Sequence, residues 1–260
     1  MRLNIFTIVL DGAPWIGAQF AELCRLRHDW RWSIVEGASM AVKDTAWMGN
    51  QQGRVSHDGT SQFLSALSRH PRITVNSKPE WEGKTEMINA ALTAFKKDGI
   101  LLQMDSDELW TADQLRRLNA LFSANPETNT LKVKMDYMLG PNVISTSSNG
   151  YGNRSNEWVR AWRYSVGLWM ECHEPPVFNG NRGGVCERDE SESILGRILH
   201  MAWVTPQQVA YKQRIYRGGY ENACEQWEAL QTNTEWPVKD LKKILPWVGS
   251  GASADLLFDS

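Results

Sequence analysis

No apolar run in this chain approaches the roughly 20 residues needed to cross a bilayer as a helix. The first, LNIFTIVL, is eight residues long and is interrupted by Asn4 and Thr7. No small-residue cleavage site follows it, so it reads as a buried strand rather than a leader or an anchor. Excess charge of one sign is lacking too. A net charge of -2 gives no general pull towards nucleic acid or acidic lipid, though a local basic patch stays open. Cysteine is sparse: Cys24, Cys172, Cys186 and Cys224 are scattered, with no C-x-x-C pair. The expectation is reduced thiols and a cytoplasmic location. A zinc site from Cys172, His173, Cys186 and His200 would use spacings that fit no usual zinc pattern. Internal repeats, heptads and low-complexity tracts are absent.

What is present suits one compact domain. The 260 residues are enough for a substantial core. The 13 tryptophans can serve as packing, or as the apolar walls of a cleft. The first half alternates in type. IFTIVL, WSIVEGA, RITVNSK and ILLQMD read as strands. Between them lie a helix after Pro14 with Ile16, Phe20, Leu23 and Leu26 at helical spacing, a polar loop over 43–60, a short helix capped near Thr60 or Ser61, and a helix carrying Met87, Ile88, Ala91, Leu92 and Phe95. This alternation predicts an α/β fold, a Rossmann-like, mainly parallel sheet flanked by helices. Ligands bind such sheets beyond the carboxyl ends of the strands. Asp11, Glu36 and Asp105 all fall at such ends.

After residue 110 the rhythm changes, so the chain is read as two halves, 1–110 and 111–260, the second mixed α+β. A helix capped by Thr111 comes first. TLKVKMDYML, WVRAWRYS and LWMECHEPPVF follow as strands, 180–193 as a polar loop, and 206–217 and 221–231 as helices.

The strand ILLQMD ends in DSDE. Asp105 and Asp107, two apart on a strand, would share a face and converge. Carboxylates so close repel unless a cation or strong donors hold them. Oxygen donors favour Mg²⁺ or Mn²⁺, which keep waters and take phosphate oxygens as further ligands. A solvated acidic strand end is the plain alternative.

An acid after the second strand, Lys84-x4-Asn89-x-Ala91-Leu92, and then the apolar strand with D-x-D-E resemble, in that order, the GT-A-fold glycosyltransferases of family 2. The likeness covers about residues 3–110. It continues more loosely through HEPPV and HMAWVTPQQVAYK, which are similar to bacterial or phage-like relatives. It implies a GT-A fold and a divalent metal, Mn²⁺ or Mg²⁺. It also implies a nucleotide-sugar donor, a UDP-sugar by preference, and transfer with inversion. Asp107 would ligate the metal. Asp105 and Ser106 would lie at the donor, with Asp105 on the ribose or sharing the metal through water. Glu36 would face the base, with the backbone around Thr7, Val9 and Asp11 lining its pocket, and Lys84 would stand near the diphosphate. Asn89 is either a contact or structural. The first loop, LDGAPWI, departs from the family in lacking small hydroxyl residues.

The acceptor hydroxyl needs a base, and MECHEPPVF offers Glu171 or Glu174. His173 and His200 are candidate metal ligands, and each could equally be a hydrogen-bonded structural histidine. Lys212, Arg214 and Arg217 lie among tyrosines, as an anion clamp or a solvated helix face. The acceptor would be a glycan, a lipid-linked glycan or a hydroxymethylated DNA base. Two other functions compete: a nucleotide-sugar-forming nucleotidyltransferase, whose Gly-rich, Arg-containing first loop is missing, and a non-catalytic, Trp-lined carbohydrate-binding protein.

Overall fold

The apolar runs become strands buried on both faces. The structure, a computed structural model, describes residues 1–40, 53–179, 184–186, 188–216 and 218–257. In chain order, β1 (Leu3–Val9), α1 (Trp15–Arg25), β2 (Trp30–Ser39), α2 (Thr60–Leu67), β3 (Ile73–Trp81), α3 (Lys84–Leu92) and β4 (Gly99–Gln103) come first. Then follow β5 (Glu108–Leu109), α4 (Ala112–Ala124), β6 (Thr128–Val133), β7 (Met135–Tyr137), β8 (Val143–Ser145), β9 (Trp158–Tyr164), β10 (Met170–Cys172) and β11 (Val177–Phe178). β12 (Gly184–Cys186), α5 (Arg188–Leu195), β13 (Ile198–His200), α6 (Pro206–Ile215), α7 (Ala223–Gln231) and β14 (Ala254–Leu256) complete the chain.

Within the described residues, 1–40, 53–133 and 159–196 make one compact unit, and 134–158 with 197–257 make a second. In these units the chain leaves the first after residue 133, and 159–196 returns to it. The first unit holds a seven-stranded sheet in the order β12-β6-β9-β4-β1-β2-β3. β4, β1, β2 and β3 run parallel, and β9 joins β4 antiparallel. This is the α/β, mainly parallel sheet that the alternation predicts. β1, β2 and β4 are nearly continuously buried, as parallel strands covered on both faces must be. β3 is mostly exposed between Ile73 and Trp81 and carries Pro79, which an edge strand tolerates because proline has no N–H to give to a ladder. Gly99 opens β4 instead of closing α3. A side chain there would collide with the Arg2 carbonyl, so β1 and β4 can approach only with glycine at this position. The core beneath α3 joins Phe6, Val35, Trp81, Ile88, Leu101, Trp162 and Phe178.

The second unit pairs β7 with β13 in parallel and β8 with β14 antiparallel. α6 is closed by a Thr205–Gln208 capping box and α7 follows it. Its core centres on Tyr137, Leu139, Trp203, Trp227 and Leu230.

Most tryptophans pack rather than line a cleft. Trp30, Trp32, Trp81, Trp110, Trp162, Trp203 and Trp227 are buried, and several indole N–H groups find acceptors inside. Trp32 donates to the Thr7 hydroxyl, Trp81 to the Glu36 carbonyl, and Trp227 to the Leu139 and Trp203 carbonyls. Among the described residues Trp169 is the tryptophan that faces solvent.

Two expectations are corrected. LWMECHEPPVF is not one strand: β10 and β11 form a hairpin with His173–Pro176 as its turn, because a proline supplies no ladder donor. Residues 188–193 of the expected polar loop belong to the helix α5 (Arg188–Leu195), seated by buried Ser191 and Leu195. The stretch 43–52 of the expected long loop lies outside the described residues, as does Arg217. No helix among the described residues is long and apolar enough to cross a membrane.

Candidate functional site

The strand order reverses at β1: β2 and β3 continue to one side of it and β4 lies on the other. Such a switch point leaves a crevice at the carboxyl ends of the two diverging strands. The loop after β1 and the acidic tip after β4 meet there. Met104 N–H donates to the Phe6 carbonyl at 3.1 Å, and Thr7 Oγ donates to the Met104 carbonyl at 2.7 Å. Gly12 faces the tip: a Cβ on it would stand 3.2 Å from Ser106 Cβ and 2.6 Å from a Val9 methyl.

The tip is a turn, not a strand end. β4 stops at Gln103, and Glu108 N–H donates to the Asp105 carbonyl at 3.0 Å, closing residues 105–108. Gln19, buried on α1, secures this turn from beneath. Its Nε2 donates to the Asp105 carbonyl at 2.6 Å and to the Glu108 carbonyl at 2.7 Å. Asp105 and Asp107 are therefore brought together by a turn rather than by strand alternation.

The three acids have different fates. Glu108 is fully buried, where Arg160 donates to its Oε1 from Nε at 2.8 Å and from Nη2 at 2.7 Å. Asp105 is about a third exposed. Its Oδ2 takes the same Nη2 at 3.1 Å, and its Oδ1 takes Gln103 Nε2 at 3.0 Å. Asp107 is half-buried. Burial pushes the Asp105 carboxyl up, but the Arg160 guanidinium and the Gln103 hydrogen bond hold it below the usual carboxylate range. The Asp107 charge opposes that lowering and His173 adds to it, so the field of the His173 side chain reaches Asp105. Burial works against the Arg160 charge, and Glu108 and Asp105 raise its pKa above the ordinary value.

Arg160, Gln19 and Gln103 do not stand out as site residues in the sequence. A signal for Arg160 exists. It shares its strand face with Trp162 and Tyr164, and an arginine on a buried aromatic face requires an acid.

At the expected base pocket the side chains of Thr7, Val9 and Glu36 are buried. Glu36 accepts Ser56 N–H at 3.2 Å and Ser77 Oγ at 2.6 Å, together with the Ser61 hydroxyl. Asp11 adopts a left-handed backbone with φ 58° and accepts from Arg54 and, at 2.9 Å, from His57 N–H. The loop N–H groups of Asp11, Gly12 and Ala13 donate to Ser56 Oγ, Thr60 Oγ1 and Asp58 Oδ2, respectively.

Burial raises the Asp11 pKa, but the Arg54 hydrogen bond and His57 N–H more than reverse this, leaving it lowered. A lowered folded pKa contributes stability that is present above the unfolded value of about 3.9 and is lost as pH falls through the folded one. Asp11→Asn is therefore expected to be less stable than the parent at pH 6, with the gap closing towards pH 2. Urea midpoints across that range check it, and a gap independent of pH would count against the ion pair.

Lys84 is the first residue of α3 and is half-buried. Asn89, one turn on, is structural: its Oδ1 accepts Met170 N–H at 2.7 Å and its Nδ2 donates to the Met170 carbonyl at 2.9 Å. That fixes the hairpin β10–β11 to α3. Glu171 and Glu174 are exposed on this hairpin, and His173 is largely buried in its turn. Glu171 and His173 do not share a strand face, because the strand ends at Cys172.

In the second unit, the His200 ring packs edge-on against Tyr137 at 4.8 Å and Trp158 at 6.2 Å. Lys212 is buried, donating to the Ala202 carbonyl over the Trp203 ring, so it belongs to no solvent-facing clamp. Among the described residues no three His, Cys, Asp or Glu side chains gather as a ready metal cluster. The expected ligands Asp105, Asp107, His173 and His200 are thus not preassembled, and Asp105 is turned to Arg160 and Gln103.

No protein-family model matches the chain, and no curated protein matches it. Among solved structures it is similar to TarS of S. aureus, residues 1–349, in complex with UDP-GlcNAc. The TM-score is 0.38 at 16% identity, over 53% of this chain and 35% of that one. It is also similar to the mannosyltransferase PcManGT from Pyrobaculum calidifontis in complex with GDP-Man and Mn²⁺. There the TM-score is 0.45 at 14% identity, over 90% of this chain and 65% of that one. The chain spans about a third of the TarS fragment and just under two thirds of PcManGT.

Proposed function

We propose that this chain is a GT-A-type glycosyltransferase that moves a sugar, with inversion, from a nucleoside diphosphate donor to a hydroxyl acceptor, using a divalent metal. One observation carries the reading: a rigidly held acidic turn at the switch point of a mainly parallel sheet, with the Asp107 carboxylate partly open to solvent. Mn²⁺ or Mg²⁺ needs one or two carboxylates, with waters and phosphate oxygens filling its other positions. Asp107 suits that part, with Asp105 beside it. The ion would stabilise charge on the departing diphosphate.

The other roles belong to the chain's own groups. α3 begins directly after β3, so its N-terminal end and Lys84 lie at the carboxyl edge of the sheet. Both favour an anion there, and more so as charge grows on the leaving group. Glu171 and Glu174, exposed on the hairpin, are the candidates to take the acceptor proton, and they stay equal. The acceptor is a glycan, a lipid-linked glycan or a hydroxymethylated base.

Titration with UDP and with GDP, each with and without Mn²⁺, tests this. Nucleotide binding that needs the metal is expected, followed by donor hydrolysis in a screen of nucleotide sugars. Sugar binding indifferent to nucleotide and metal would point to a carbohydrate-binding protein. Synthesis of a nucleotide sugar from a nucleoside triphosphate would point to a nucleotidyltransferase.

A further inference from the structure

We propose that Arg160 is a positioning residue for the acidic turn, acting through Asp105. This rests on the reading that the turn takes a divalent cation. β9 runs antiparallel to β4 with Ala161 opposite Leu102, so Arg160 arrives where β4 ends and the turn begins. Its guanidinium, 6% exposed, reaches two carboxylates of the same turn, Glu108 below and Asp105 above. The planar fork fixes direction as well as charge, which a lysine ammonium does not. Asp105 is held on both oxygens, by Arg160 and by Gln103. With Asp105 anchored, the backbone that presents Asp107 has one conformation. Released, Asp105 would swing under the repulsion of Asp107, and the turn would have to be ordered again at each binding event. Arg160 touches neither the donor nor the ion in this scheme.

The test uses Mn²⁺ alone with the full chain, reading free Mn²⁺ by its electron paramagnetic resonance lines and the folded state by thermal melting. Asp105→Asn is expected to weaken Mn²⁺ about tenfold, and Arg160→Lys by a similar factor. The double variant is expected to match Asp105→Asn alone, because the second change acts through a carboxylate already removed. Weakening that multiplies to about a hundredfold overturns the proposal. So does an Arg160→Lys protein that melts earlier yet binds Mn²⁺ like the parent, since that is a structural role only. If Arg160→Lys does not fold, Glu108→Gln, read beside Asp105→Asn, separates position from buried charge. It leaves the Arg160–Asp105 contact in place and is expected to keep Mn²⁺ affinity within twofold; a tenfold loss means that buried charge, not position, is what matters. A parent that binds no Mn²⁺ removes the functional reading itself, whereas a parent that binds it with independent variants removes only this inference.

Discussion

Asp107→Ala is expected to lower metal-dependent turnover about a thousandfold while the protein stays folded. The size follows from what a preorganised charge supplies in a transition state, where losing one group commonly costs a factor of about 10²–10³. The specificity follows from the placement of Asp107. It is half-buried on the outer side of the turn, while the turn itself is closed by the Glu108 N–H bond and by Gln19. Its charge opposes ionisation of Asp105, so removing it relieves repulsion inside the turn. Retention of the cooperative folded state is the expected companion result, because the turn's closing bonds do not involve the Asp107 side chain. Steady-state rates with saturating Mn²⁺, set beside urea melts, decide the matter. Undiminished turnover in this variant would end the metal-site assignment.

Glu108→Ala has the opposite profile: a large loss of stability, about 3–5 kcal/mol, because Arg160 is left buried with one of its two acids gone. Trp110, whose indole N–H points to Glu108 Oε2 at 3.4 Å, loses that acceptor as well. Against a total of about 5–15 kcal/mol for an ordinary domain, this is a large fraction. Glu108→Gln keeps shape and acceptor and is expected to lose distinctly less. Denaturant midpoints for the pair measure the difference. An alanine variant as stable as the parent would show that the buried ion pair contributes nothing to folding.

The sheet was legible because parallel strands covered on both faces leave continuous apolar runs, and α1 and α3 show helical spacing beside them. The acidic tip was legible because three carboxylates directly follow such a run. Its geometry was not. Whether Asp105 and Asp107 converge by strand alternation or by a turn depends on Gln19 and Arg160, which lie 86 and 55 residues away in sequence. No local pattern reports such distant partners. Long-range pairing also sets which segments join the first unit, since β9 returns to lie beside β4 after an excursion through residues 134–158. The hairpin was within reach, as Pro175 and Pro176 sit where an uninterrupted strand would need ladder donors. α5 was not, because its sequence is nearly all polar and it is seated by very few buried side chains. The partners of Thr7, Glu36 and Asp11 were not legible either. These side chains are hydrophilic at or near strand ends, the pattern of a ligand contact, and they bond to Met104, three serines and Arg54.

Asn89 engages both the N–H and the C=O of Met170, and one amide gripping both polar groups of a single residue acts as a clamp with no slack. The β-ribbon carrying Glu171 and Glu174 cannot creep lengthwise along its neighbouring helix without breaking both bonds at once. Lys84 begins that same helix. Glu171, Glu174 and Lys84 therefore share one mechanical frame, and any shift in one is felt by the others.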